Sequence, residues 1–74
     1  SMTKSKQSLL KDDRTDVIKM MKDELQLYLG EIDAGNDNPE LKTKISDNLR
    51  RLLVLGAISK PFATKVVREY IADV

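Results

Sequence analysis

The side chains that could do chemistry here are carboxylates, lysines, arginines and two tyrosines, because the chain has no cysteine and no histidine. The absence of thiols excludes a cysteine nucleophile, a zinc ribbon and an iron–sulfur cluster. The absence of imidazole removes the commonest general acid–base group. A chain of 74 residues also has little room for an enclosed pocket. These features predict a binding protein rather than an enzyme, with no cofactor and no metal.

The segment most similar to a metal-binding loop is the acidic stretch at residues 33–38. A calcium loop of the EF-hand type needs ligand oxygens at its first, third and fifth places, glycine at the sixth and an acidic residue at the twelfth. Counted from Asp33, the third place is Gly35 and the sixth is Asn38. The twelfth is Lys44. The segment is therefore interpreted as a turn that connects two helices.

The remaining carboxylates do not form a pair suited to acid–base catalysis. Asp23 and Glu24 are adjacent, so on a helix their side chains point about 100° apart. Asp12, Asp13 and Asp16 precede or open an apolar pattern, where carboxylates complement the helix dipole. We interpret these three as an N-cap and an acidic first turn.

Positive charge is concentrated in the second half of the chain. Residues 2–39 hold six basic and eight acidic side chains, whereas residues 40–74 hold seven basic and four acidic ones, so the net charges are −2 and +3. The total of +1 argues against a general polyanion binder, and the distribution favours a basic surface in the second half. The partner-binding face that we predict consists of Arg50, Arg51, Lys60, Thr64, Lys65 and Arg68.

Residues 50–71 have the outline of a helix-turn-helix, with Gly56 and Ser59 in the turn and a polar side on the second helix. Two features argue against DNA binding. The net charge is close to zero, and Pro61 and Phe62 stand where recognition helices usually present small polar residues. Any helical hairpin shares this outline. A small DNA-binding regulator from a phage or mobile element is therefore the second hypothesis.

Apolar spacing predicts the elements that position these side chains. In the first half, apolar residues recur every three or four residues, as on one face of an α-helix. Val17, Met20 and Leu27 flank this stripe or widen it. The stripe itself consists of Ile18, Met21, Leu25, Tyr28, Leu29 and Ile32.

Capping signals delimit two further helices. Asn38 and Pro39 are suited to the N-cap and first position of the second helix, and Gly56 stands where a helix ends. Ser59 and Pro61 repeat the start signal for the third helix. The apolar stripes are Leu41, Ile45, Leu49, Leu52 and Leu53 in the second helix, and Phe62, Ala63, Val66, Val67, Tyr70, Ile71 and Val74 in the third.

The predicted fold class is all-α, a compact three-helix bundle without strands or internal repeats. Residues 13–74 form a single helical domain, and residues 1–12 form a short, flexible or disordered N-terminal arm. Ser1, which precedes Met2, is interpreted as the remnant of an expression tag. The predicted helices span approximately residues 13–33, 39–55 and 60–74.

The order of these features resembles the small immunity proteins that protect bacteria against class II bacteriocins, of the enterocin A type. The resemblance covers residues 16–74 and rests on LYLGEI in the first helix, NPELKTKISDNLRRL in the second, the turn GAISKP, and FATKVVREYI in the third. It implies a soluble cytoplasmic factor that blocks pore formation through a membrane receptor. The specificity of such proteins lies in their C-terminal half, which here points to Lys60, Lys65 and Arg68.

The resemblance also implies a fourth helix, since familiar members form antiparallel four-helix bundles. In this sequence only the N-terminal arm, with Leu9 and Leu10, could supply one. The start of the chain is polar and basic, and its longest apolar run, Leu52 to Leu55, is too short to span a membrane. Together with the absence of cysteine, this predicts a cytoplasmic protein without a transmembrane segment.

The leading hypothesis is a non-enzymatic helical interaction protein, most plausibly a factor of the bacteriocin-immunity type with a protein partner. A small inhibitor or subunit of a larger complex is a third hypothesis, because it would use the same surface. Peripheral membrane contact and nucleic-acid binding stay open. A homodimer is expected if the core leaves an apolar patch uncovered. The residues considered for that patch are Met20, Val54, Leu55 and Tyr70.

Overall fold

A computed structural model describes the backbone of residues 2–72 and the side chains of residues 14–72. Three α-helices follow one another: α1 at Met2–Asp33, α2 at Pro39–Val54 and α3 at Lys60–Val66. A π-helical turn at Val67–Ile71 continues α3. The described residues contain no strand, so the predicted all-α three-helix bundle is confirmed.

Helix α1 is longer than its apolar period alone indicates. It begins at Met2, upstream of the start expected near Asp13, and no glycine or proline interrupts its first turns. Asp12, Asp13 and Asp16 therefore occupy interior positions of α1, and their predicted place at its N-cap and first turn is wrong. The expected mobility of the N-terminal arm stays a prediction. The expected docking of Leu9 and Leu10 concerns side chains that lie outside the described ones.

The turn between α1 and α2 is fixed by its glycine and by a side-chain cap. Gly35 has φ +98°, a left-handed conformation that residues with a Cβ rarely adopt. Its amide donates to the Ile32 carbonyl at 2.9 Å, as in a Schellman motif. The Asn38 side chain then accepts from the Glu40 amide at 2.8 Å, with Pro39 at the first helical position. The predicted start of α2 is confirmed.

The second turn repeats this construction. Gly56 has φ +70°, its amide donates to the Leu53 carbonyl at 3.0 Å, and the Ala57 amide donates to the Leu52 carbonyl at 2.9 Å. The Ser59 hydroxyl accepts from the Phe62 amide at 3.2 Å, so the predicted caps on both sides of this turn are confirmed. Since both turns are short and defined, α3 is held in a set direction against the first two helices.

The core lies where the three apolar stripes meet, as their spacing predicts, except that Phe62 of the third stripe is 40% exposed and lies outside the core. Ile45 and Leu52 of α2 are completely buried, and Leu25 of α1 and Val66 of α3 pack against them. The partly buried Val67 extends the core into the π-helical turn. That turn closes with a hydrogen bond from the Ala72 amide to the Val67 carbonyl at 2.7 Å. The predicted continuation of this helix to residue 74 is wrong at its last described position, because Ala72 is extended (φ −93°, ψ 124°) and helical structure ends at Ile71. Residues 73–74 lie outside the described ones.

One polar side chain interrupts this core. Asn48 of α2 is only 7% exposed, and its Nδ2 donates to the Met21 carbonyl of α1 at 3.0 Å. Its Oδ1 is buried and accepts no hydrogen bond from the described residues. The α1–α2 contact therefore contains one specific polar link and one unsatisfied acceptor, and the apolar spacing did not predict either of them.

Candidate interaction surface

The outward side of α3 gathers four of the six residues predicted for a partner-binding face. Lys60, Thr64, Lys65 and Arg68 are exposed and line one open depression of about 630 Å³. The buried residues of α3 point the opposite way, because Ala63 and Val66 occupy the other side of the same turns. We call this surface, completed by Pro61 and Glu69, the basic face of α3.

The three cations of the basic face form no ion pair with the side chains of residues 14–72. Within residues 14–72, no carboxylate lies within ion-pair distance of Lys60, Lys65 or Arg68. Three other lysines are paired, for example Lys19 with Asp23 at 3.0 Å, whereas Lys22 of α1 forms no ion pair with the described residues. Glu69 is the single acidic side chain that lines the depression, so the face keeps a net positive charge. Unpaired exposed cations attract an anionic partner at little desolvation cost.

The wall of the depression is chiefly aliphatic. Its lining residues include Pro61, with an apolar ring, and Lys60, Lys65 and Arg68, whose long side-chain stems are aliphatic. The position of Pro61 follows from the Ser59 cap, which leaves the first turn of α3 free for a residue without an amide hydrogen. The face therefore combines an apolar centre with a cationic rim.

Arg50 and Arg51 lie elsewhere on the surface. Both are exposed on α2, and Arg51 lines a groove between α1 and α2 together with Glu24 and Asp47. Arg50 stands one helical step further round, on the side of α2 that faces away from its buried residues. The structure thus brings the four predicted residues of α3 together around one depression. The two predicted residues of α2 do not line that depression.

The groove between α1 and α2 carries mixed charge. Lys44 lies 6.0 Å from the centre of the Tyr28 ring, which is a weak cation–π contact at an exposed site. The same ammonium lies 3.8 Å from Glu40 Oε1. Glu24 and Asp47 oppose Arg51 along this groove. Because positive and negative groups alternate, the groove offers no field of one sign to a ligand.

The acidic end of the bundle does not assemble a cation site. Glu31, Asp37 and Glu40 line an open depression of about 420 Å³ next to the first turn. The Asp37 carboxylate forms an ion pair with Lys42, with 3.4 Å between Oδ1 and Nζ. The Asn38 side-chain oxygen accepts the capping hydrogen bond from the Glu40 amide. Among the residues described, no three acidic, histidine or cysteine side chains are grouped as metal ligands.

A hydrogen bond joins the end of α1 to the π-helical turn. The Tyr70 hydroxyl donates to Asp33 Oδ2 at 3.1 Å. This bond to a carboxylate, with a smaller contribution from burial, raises the pKa of Tyr70 above its ordinary value. The contact joins the π-helical turn to the last residue of α1. It therefore stabilises the bundle and leaves the basic face of α3 accessible.

Helix α1 carries a second, exposed apolar line. Val17, Met20 and Leu27 are 44%, 59% and 68% exposed, and none of them belongs to the core. Spacing placed all three beside the buried stripe, and only Met20 was considered for an uncovered apolar patch; the exposure of Val17 and Leu27 was not predicted. In the patch considered for a homodimer, Met20 and Val54 are exposed, whereas Leu55 and Tyr70 are half-buried.

No known protein family, no curated protein and no solved structure matches this chain. Within the described part, no helix is both long and apolar enough to cross a membrane. The function must therefore be argued from the surfaces above.

Proposed function

We propose that this chain is a non-enzymatic interaction protein that docks onto an acidic protein surface through the basic face of α3. The observation that carries the proposal is a set of three cations, Lys60, Lys65 and Arg68, that line an aliphatic depression and form no ion pair within residues 14–72. Such a centre takes an apolar side chain of the partner, and the rim pairs with carboxylates around it.

The same face supports a more specific role. It lies in the C-terminal half, where the resemblance to bacteriocin-immunity proteins places specificity. We therefore propose an immunity-type factor that acts from the cytoplasm on a membrane-receptor complex. An inhibitor or subunit of another complex would use the same face, and the experiment below separates the two roles.

The aliphatic character of the depression favours a protein over DNA. Recognition of a duplex needs several phosphate contacts and polar side chains, most often Arg, Lys, Asn or Gln, that reach base edges. The basic face offers three cations together with a proline and the carboxylate of Glu69. A carboxylate repels phosphate, while an apolar centre contributes little to contact with a phosphate backbone.

Expression in a bacteriocin-sensitive strain tests the immunity role. We expect wild-type protein to protect against at least one class II bacteriocin, and the double variant Lys65→Glu/Arg68→Glu to lose that protection. A matched control, Arg14→Glu/Lys22→Glu, makes the same change in charge at exposed positions of α1 and should still protect. Absence of protection by wild-type protein against every bacteriocin of the class would exclude this role.

Titration with random duplex DNA tests the alternative. We expect no binding at low salt, where non-specific contact with phosphates is strongest. Binding that weakens steeply with salt and disappears in Lys65→Glu/Arg68→Glu, but not in Arg14→Glu/Lys22→Glu, would instead assign the basic face to nucleic acid. Circular dichroism of each variant confirms that the helices are intact.

A further inference from the structure

The exposed apolar line of α1 continues into a regular seam that the bundle does not use. Residues 17, 20, 24, 27 and 31 follow one another at intervals of three, four, three and four, which is the spacing of a coiled-coil contact line. Val17, Met20 and Leu27 are its apolar members, and Glu24 and Glu31 are its acidic ones. We call this line the α1 seam. It is separate from the buried stripe centred on Leu25 and Leu29.

Every member of the α1 seam is exposed, and Glu24 also lines the groove between α1 and α2 with Arg51, without an ion pair between them. Within the described residues, no lysine or arginine lies within ion-pair distance of Glu24 or Glu31. These two carboxylates are seven residues apart, or about 10.5 Å along the axis. The seam from residue 17 to residue 31 is about 21 Å long, or roughly four helical turns.

We propose that the α1 seam binds a cationic amphipathic helix of another protein. Apolar side chains of that helix would cover Val17, Met20 and Leu27, while lysine or arginine residues seven positions apart would face Glu24 and Glu31. Charged residues at the contact line of a coiled coil select the partner, since like charges that meet there are destabilising. The two glutamates therefore define the chemistry of the helix that fits.

The same two glutamates argue against other occupants. Parallel pairing of two α1 helices in register would bring Glu24 against Glu24 and Glu31 against Glu31, so the seam disfavours a parallel homodimer. An anionic lipid surface would meet the same repulsion. The basic face of α3 is on a different helix and plays no part in this proposal.

Binding of designed peptides tests the inference. The probe has leucine at the heptad contact positions and lysine at two of them, seven residues apart. The control peptides replace both lysines with glutamate or scramble the order of the residues. We expect wild-type protein to bind the lysine peptide at least about tenfold more tightly than either control, with a salt-dependent affinity. Equal affinity for the three peptides, or no binding, would overturn the proposal.

Substitutions in α1 locate the site. We expect Leu27→Lys to weaken binding by about tenfold or more, because it removes an apolar contact that the peptide would bury and places a positive charge next to the cationic peptide. Gln26→Lys makes the neighbouring exposed residue into the same side chain about 100° away and should change the affinity less than about twofold. An equal loss in both variants would show that overall charge, rather than the seam, governs binding.

Charge exchange provides the most specific test. Glu24→Lys/Glu31→Lys should reverse the preference, so that the glutamate peptide binds more tightly than the lysine peptide. The milder Glu24→Gln/Glu31→Gln should weaken the lysine peptide by about two- to fivefold per carboxylate. Lys65→Glu/Arg68→Glu should not change it, which distinguishes this proposal from the one for α3. Sedimentation of wild-type protein that shows a dimer abolished by Glu24→Lys/Glu31→Lys would overturn it in favour of a second copy.

Discussion

Replacement of the buried Asn48 by leucine should stabilise the protein. The Asn48 Nδ2 donates to the Met21 carbonyl at 3.0 Å, whereas the buried Oδ1 accepts no hydrogen bond from the described residues. A buried acceptor without a partner costs about 1–3 kcal/mol, and the single bond that the side chain does make contributes about 0.5–1.5 kcal/mol net. The Met21 carbonyl lies inside α1, where it also accepts the regular helical bond, so losing Asn48 does not leave it unsatisfied.

Leucine is close to asparagine in shape and adds apolar burial next to the core residues Leu52 and Ile45. We therefore expect Asn48→Leu to raise the free energy of unfolding by about 1–3 kcal/mol. For a domain of this size, each 1 kcal/mol corresponds to a rise in Tm of about 4–8 °C. Urea denaturation followed by circular dichroism measures the change directly.

Two further substitutions at position 48 separate the contributions. Asn48→Ala removes the hydrogen bond and the unsatisfied acceptor without adding apolar contact, so it should lie below leucine in stability. Asn48→Asp buries a carboxylate, which is destabilising, and should recover as the pH falls because a buried carboxyl group has a raised pKa. If Asn48→Leu instead lowers the free energy of unfolding by more than about 1 kcal/mol, Oδ1 is satisfied in solution and the reasoning fails.

Three other outcomes follow from the turns and from Tyr70. Gly56→Ala should lower the free energy of unfolding by about 1–2 kcal/mol because φ is +70°, even though the space around a Cβ there is open. Gly30→Ala, in the exposed interior of α1, should raise it by about 0.5–1 kcal/mol. Ser59→Ala should cost about 0.5–2 kcal/mol through loss of the cap on α3, measured by the same urea titration. Asp33→Asn should lower the pKa of Tyr70, as measured by tyrosinate absorbance against the other tyrosine; an unchanged titration would contradict the contact. Since folding raises that pKa, the contribution of this contact to stability is complete below pH 10 and decreases as the pH rises above it.

The turns and the core could be predicted from sequence because their signals are local. Gly35 and Gly56 end helices where only a residue without a Cβ is comfortable, and Asn38 and Ser59 begin them with side-chain caps. The spacing of apolar residues fixes which face of each helix is buried, since a helix has a single period. These elements determine where the basic face of α3 points.

The remaining features depend on how the helices meet. Asn48 looks like a surface residue in sequence, and it is buried because α1 lies across it. Val17, Met20 and Leu27 look like an extension of the buried stripe of α1, and they are exposed because α2 and α3 cover only one side of that helix. Arg51 was grouped with the residues of α3 because both belong to the basic second half of the chain, whereas the helical period turns it toward the groove that Glu24 of α1 also lines. A one-dimensional pattern does not contain these relations.

The two glycine-ended turns also have a consequence for how fast the chain finds its fold. Because Gly35 and Gly56 reverse direction within a few residues, each helix meets its main partner at short separation along the chain. Little loop entropy is lost before those contacts form. Helical domains with such local contacts fold on a timescale of the order of microseconds to milliseconds. Stopped-flow or temperature-jump relaxation in that range is therefore expected, with a folding limb that Gly56→Ala slows if the second turn is already formed in the transition state.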